Sequence, residues 1–168
     1  GSPYKFGIQL KSINTPSRLK SINLLELAID IANYLPNKEQ YHLTNMQVFS
    51  EKNNNKPLEM HTDLRRGMIR AQVYLKGGKD NSGAFQYLLN THKLNHNVEH
   101  YLNSMENKAL EKLKFSCSGN PGDLLIFDTW GFHGKTKCNE ERRSVIFEFQ
   151  NIDPKISKDS SKASLDLN

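Results

Sequence analysis

Asn120-Pro121-Gly122-Asp123-Leu124-Leu125-Ile126-Phe127 is the stretch on which the fold turns. Proline and glycine at adjacent positions make a tight turn, because Pro pre-sets φ and Gly accepts a positive one. Four apolar residues follow at once. They are too few for a helix, so 124–127 reads as a short buried strand. Six residues further on stands His133, followed by Gly134.

The same texture extends outward. Residues 41–50, 58–63, 68–75, 84–89, 113–117 and 144–149 read as further short strands. Gly77-Gly78 and Asp80-Asn81-Ser82-Gly83 supply turns, and Asn53-Asn54-Asn55-Lys56-Pro57 supplies a loop. Before them, residues 22–35 carry apolar positions at helical spacing, with Ser21 placed to cap the start and Pro36 to end the run. Residues 97–113 have helical composition. The segment 154–168 is rich in Lys, Ser and Asp, and frayed structure is expected there. One helix before many short strands indicates a sandwich or barrel. A double-stranded β-helix, or jelly roll, fits the count: a mainly β fold with one or two flanking helices. At 168 residues a single domain (1–168) is expected, with its core at about 41–150.

Composition narrows the function classes. No run of eighteen apolar residues exists, which gives no sign of a helical membrane span. The opening Gly1-Ser2-Pro3-Tyr4 shows no charged-then-apolar export segment. Two cysteines, Cys117 and Cys138, are too few for a disulfide framework. The expectation is therefore a cytoplasmic protein with reduced thiols. The net charge of +5 is dispersed among frequent Lys and Asn. A nucleic-acid groove would show clustered cations interleaved with stacking aromatics, so the charge reads as a solvated surface.

The chemistry concentrates in His61-Thr62-Asp63 and His133. On a strand, alternate side chains share a face, so His61 and Asp63 would point together and Thr62 away. His133 must then arrive from another strand, and the opposite sheet of a jelly roll supplies one. Two imidazoles and one carboxylate are the protein ligands of a facial non-haem Fe(II) site, which keeps metal positions open. Arg142-Arg143 follows about ten residues later, and a guanidinium fork there suits a carboxylate-bearing cosubstrate. Adjacent strand residues face opposite sides, so only one of the two arginines can point inward. His-x-Asp alone is a motif chance supplies readily; the order of the whole set is what gives it weight.

That ordered set resembles the Fe(II)/2-oxoglutarate oxygenase superfamily, and within it most resembles the phytanoyl-CoA dioxygenase family. The resemblance covers about 41–150. It rests on His61-Thr62-Asp63, on the strand from Ile69 to Leu75, and on Asn81-Ser82-Gly83 with Thr91-His92-Lys93. Pro121-Gly122-Asp123 and His133-Gly134 through Arg142-Arg143 complete it. Leu89-Asn90 departs from the Pro-Gly the family places before Thr91-His92. The resemblance implies that His61, Asp63 and His133 bind Fe(II), and that 2-oxoglutarate and O2 are consumed to give succinate, CO2 and a hydroxylated small organic substrate. It favours Arg142 over Arg143 for the far carboxylate of 2-oxoglutarate, and places Gln72 in the cosubstrate pocket, with Arg70 and Tyr74 on its face. Related halogenases have a small residue at the carboxylate position, so Asp63 implies hydroxylation. A nucleic-acid demethylase on the same scaffold is an alternative, but those enzymes carry Arg-x5-Arg after the distal His, whereas these arginines are adjacent. A non-catalytic jelly-roll binding module is the other alternative, and the intact triad weighs against it. Neither the substrate nor the oligomeric state has a sequence signature.

Overall fold

The structure is a computed structural model that describes residues 8–12, 24–52, 56–63, 66–93 and 112–152. Among the described residues the strands in chain order are β1 (Ile8–Ser12), β2 (Tyr41–Glu51), β3 (Leu58–His61), β4 (Met68–Lys76), β5 (Phe85–Leu88), β6 (Lys114–Cys117), β7 (Asp123–Asp128), β8 (His133–Lys135) and β9 (Arg142–Asn151), with one α-helix, α1 (Leu24–Ala32). They form a five-stranded sheet in the order β1-β7-β4-β9-β2 and a four-stranded sheet in the order β3-β8-β5-β6. The pairings are antiparallel. This is the expected mainly β jelly roll with a flanking helix. Among the described residues, no helix is long and apolar enough to cross a membrane.

Alternation along the central strands builds two interiors. Ile69, Ala71 and Val73 of β4, Leu124 and Ile126 of β7, and Val145, Phe147 and Phe149 of β9 share one face of the larger sheet. Helix α1 covers that face with Leu27, Ala28 and Ile31, and Leu35 just beyond the helix joins them. Its last turn tightens as the Tyr34 and Leu35 N–H groups bond the Ile31 and Ala32 carbonyls, and Pro36 stops it. The opposite face looks toward the smaller sheet. There Tyr74, Leu125 and Phe127 pack with Phe85, Tyr87 and Cys117. Tyr74 is fully buried; its hydroxyl donates to the Cys117 carbonyl at 3.2 Å and accepts from the Phe85 N–H at 3.2 Å.

Several expectations shift in detail. Ser21, most of 97–113 and the segment 154–168 lie outside the described residues. Strands β1 and β8 were not expected. The strand expected over 58–63 ends at His61, and Asp63 lies beyond it, its N–H bonded to the Thr129 carbonyl at 3.2 Å. Where the family resemblance calls for Pro-Gly, Asn90 takes φ 67, a left-handed conformation that Asn adopts more readily than most residues.

Candidate metal centre

The three candidate ligands converge. His61 ends β3 and His133 opens β8, and the two residues are direct cross-strand partners. They therefore sit in one sheet. The expectation that His133 arrives from the opposite sheet is corrected, because adjacency of β3 and β8 brings the imidazoles together without crossing the barrel. The ring centroids lie 4.6 Å apart. Asp63 then reaches in from beyond the strand end, its Oδ1 at 3.7 Å from the His61 Nε2 and 3.6 Å from the His133 Nε2. One donor atom from each of the three lies within 4.8 Å of the other two.

Both imidazoles are oriented alike. Nδ1 of His61 lies 2.8 Å from the Glu59 carbonyl, and Nδ1 of His133 lies 2.8 Å from the Gly131 carbonyl. A carbonyl only accepts, so Nδ1 carries the hydrogen in each ring and Nε2 keeps its lone pair toward Asp63. The His133 Nε2 is buried and has no hydrogen-bond partner. A buried acceptor without a donor is costly unless something electron-poor meets it. Burial opposes ionisation of Asp63, but His133 in its protonated form, then the Arg70 guanidinium and protonated His61, outweigh it and hold the carboxyl below its usual range. An N2O donor set with an ionised carboxylate fits a divalent cation of the Fe(II) type.

The group opens on a cavity of about 210 Å³ between the two sheets. His61, His133, Arg70 and Glu148 line one side. Arg142 lies six residues along β9 from Glu148, and with Lys135 and Gln72 it supplies the remaining polar wall. Phe49, Leu58, Phe85, Phe127 and Ile146 are its apolar wall.

The two arginines separate cleanly. Arg142 is buried and faces the cavity; its Nη1 is 3.9 Å from Glu51 and its Nε has no hydrogen-bond partner. Arg143 points outward, half exposed, with its Nε donating to Glu141 at 2.7 Å. Gln72 is buried with its Nε2 unpartnered. Arg70 lines the cavity beside it, whereas Tyr74 is spent on the core contacts described above. His92 lies in a 3-10 turn over Thr91–Lys93 and is not part of the three-residue group.

Sequence reasoning missed Lys135, Glu51 and Glu148. Lys135 is buried and bonds both Glu51 oxygens at 2.5 and 2.6 Å. Its parity with His133 was the available signal, since residues two apart share a face. Asp128, also missed, accepts the Trp130 N–H at 2.9 Å, and burial pushes its carboxyl up to about 6 against the pull of that bond and of His133.

No family model and no curated protein matches this sequence. Solved structures match it by shape. HygX from Streptomyces hygroscopicus, with iron bound, aligns with TM-score 0.63 and 13% identity over 89% of this chain and 84% of its own. SnoK, a non-haem α-ketoglutarate-dependent carbocyclase from nogalamycin biosynthesis, gives 0.62 and 9% over 88% and 80%. EvdMO1 gives 0.56 and 16% over 80% of this chain but 32% of its own, so this chain spans about a third of EvdMO1. The chain thus shares the jelly-roll fold of these structures; identities this low carry the fold and nothing finer.

Proposed function

We propose that this chain is an Fe(II)- and 2-oxoglutarate-dependent oxygenase that hydroxylates a small organic molecule. The observation that carries the reading is the convergence of two Nε2 lone pairs and one ionised carboxylate oxygen, with both Nδ1 atoms tied to backbone carbonyls. The fold supports it: HygX has been crystallised with iron, and also with nickel, 2-oxoglutarate and hygromycin B.

In this reading His61, Asp63 and His133 hold the metal. Iron and 2-oxoglutarate, when bound, supply the oxidising chemistry: O2 is consumed, the keto acid becomes succinate and CO2, and an oxygen atom passes to the substrate. The protein's part is to bind and orient. Arg142 offers an unspent Nε–H and a buried cation to the far carboxylate of 2-oxoglutarate, and Gln72 offers an unspent amide N–H beside it. Phe85, Phe127 and Ile146 give the cavity an apolar wall against which a substrate can pack. Asp63 takes up a metal position that a halogenase frees for halide, which favours hydroxylation.

Anaerobic titration with Fe(II) and 2-oxoglutarate tests this. A weak visible charge-transfer band is expected, absent in His61→Ala and Asp63→Ala. No band and no 2-oxoglutarate turnover would refute the oxygenase reading. Arg142→Met should weaken 2-oxoglutarate binding by roughly 10- to 100-fold, the worth of a charge-assisted pair out of water, and Arg143→Met by less than about 2-fold. Weakening in Arg143→Met alone would reverse the assignment.

A further inference from the structure

Each histidine of the centre is anchored by a backbone carbonyl, but the carboxylate is anchored by a side chain. Asp63 turns Oδ1 toward both imidazoles and Oδ2 toward Nη1 of Arg70, at 2.8 Å. Arg70 is itself held: its Nε and Nη2 both reach Oε1 of Glu148, at 2.8 and 2.5 Å. The second oxygen of Glu148 accepts from Nδ2 of Asn45 at 3.3 Å. Arg70 faces Glu148 across β4 and β9, and Asn45 faces Glu148 across β2 and β9. The chain of contacts thus crosses three neighbouring strands and ends on the candidate metal carboxylate.

An arginine here needs a reason, because its charge repels any cation held by Asp63. Glu148 offsets that charge, so Arg70 with Glu148 is close to neutral as a unit. What the unit contributes is direction. The guanidinium stands beside Oδ2 as an ion pair without hydrogen-bond geometry, and Oδ1 alone faces the two Nε2 atoms. A carboxylate free to turn could offer both oxygens to one metal, taking a position that a bidentate cosubstrate and O2 need.

We propose that Arg70, held by Glu148, is a positioning residue that restricts Asp63 to a single ligating oxygen. The proposal rests on the metal reading of the site and not on the cosubstrate or substrate. Mn(II) is the probe, with free ion counted by its electron paramagnetic resonance signal and bound ion by water-proton relaxivity. Arg70→Met should weaken Mn(II) binding by about 10-fold or more, the usual cost of losing a partner that orients a ligand, although it removes a repelling cation. Relaxivity per bound Mn(II) should fall by about one third, as three open octahedral positions become two. Arg70→Lys, which keeps the charge but not the fork, should follow Arg70→Met. Glu148→Gln should weaken Mn(II) binding in the wild type and have no effect in the Arg70→Met background, because it acts through Arg70.

Wild-type protein that binds no Mn(II) would refute the metal centre itself. Wild-type protein that binds Mn(II), with Arg70→Met and Arg70→Lys binding as tightly or more tightly, would refute the positioning role and leave the centre standing. Weaker binding at unchanged relaxivity would refute the single-oxygen restriction. Should Arg70→Met fail to fold when melted without metal, Arg70→Lys and Glu148→Gln decide the matter.

Discussion

Gly131 links the stability of the fold to the geometry of the centre, and Gly131→Ala separates the two. Gly131 lies in the bend between β7 and β8, and its carbonyl accepts the His133 Nδ1–H. A Cβ at this position would lie 1.9 Å from the Tyr87 hydroxyl oxygen and 2.4 Å from the ring carbon that bears it. Tyr87 has nowhere to go: it is fully buried, packs near Phe85 and Phe127, and donates to the Asp128 carbonyl at 3.0 Å. The backbone of Gly131 is not left-handed, so alanine adds no torsional strain and the cost is steric. Overpacking a core costs about 1–3 kcal/mol, and leaving the Tyr87 hydroxyl and its acceptor unpaired about 1–3 kcal/mol more. Against this, alanine restricts the unfolded chain by about 0.4–1 kcal/mol. The net is on the order of 3 kcal/mol, or about 6–12 °C in Tm for a chain of this length.

Where the clash is relieved is a separate reading of the same variant. If Tyr87 moves, stability falls and metal affinity holds. If the bend moves, the His133 anchor moves with it, and affinity for a divalent cation falls by about 10- to 100-fold. The adjacency of Gly131 to the bend, against the burial of Tyr87, favours the second outcome. Calorimetric melts of metal-free protein and a Mn(II) titration are the two assays. A variant that melts within about 2 °C of wild type and binds Mn(II) equally well would refute the packing reasoning.

Three further outcomes follow from burial. Cys117 and Cys138 are free and buried, with burial pushing the Cys117 thiol up to about 12 and raising Cys138 too; native protein at pH 8 should leave both unreacted with a thiol reagent while unfolded protein gives two, and rapid native labelling of either would count against this. Asp128, raised to about 6 by burial, holds its proton more tightly folded than unfolded, so the cost of ionising it builds between about pH 4 and 6 and is constant above. Metal-free Asp128→Asn should therefore be more stable than wild type above pH 6, by about 3 kcal/mol, with little difference near pH 4; a gain that does not depend on pH in paired denaturant titrations would contradict the assignment. The Thr62 hydroxyl is fully buried with no hydrogen-bond partner, so Thr62→Val should melt at or above the wild-type temperature, and a loss beyond about 1 kcal/mol would show that the hydroxyl has a partner after all.

What could be read from the chain, and what could not, divides along local and non-local information. Strands β4, β7 and β9 were legible because burial on both faces writes itself into the residues, as in Leu124-Leu125-Ile126-Phe127. Strand β1 is five residues of Ile-Gln-Leu-Lys-Ser whose identity as a strand comes from its ladder with β7. Strand β8 is His-Gly-Lys, poor in strand formers, and exists because β3 and β5 flank it. There the glycine is required by its neighbour, since a Cβ on Gly134 would lie 2.5 Å from the Leu58 carbonyl oxygen. The three candidate ligands were visible as residue types in order. That His61 and His133 are neighbours in one sheet was not, because strand order is set by pairings that no local pattern records.

The arginine pair shows why the site's interior is hard to see from alternation alone. Arg143 shares its parity with Val145, Phe147 and Phe149, whereas Arg142 shares its parity with Ser144 and Glu148. A rule that turns the apolar face inward would bury Arg143 and expose Arg142. The structure does the reverse, and the reason is that β9 has two insides. Helix α1 covers the apolar parity and makes a dry core there. The second sheet covers the polar parity and makes a cavity lined by Arg70, Gln72, Arg142 and Glu148. Arg143 escapes because it lies at the start of the strand, where its side chain bonds Glu141 in the open. A polar stripe on a central strand is therefore ambiguous until its covering layer is known: solvent makes it a surface, and a second sheet makes it a site. In this chain the second sheet is the one that carries both histidines, so the layer that buries the polar stripe is also the layer that brings two of the candidate metal ligands to it.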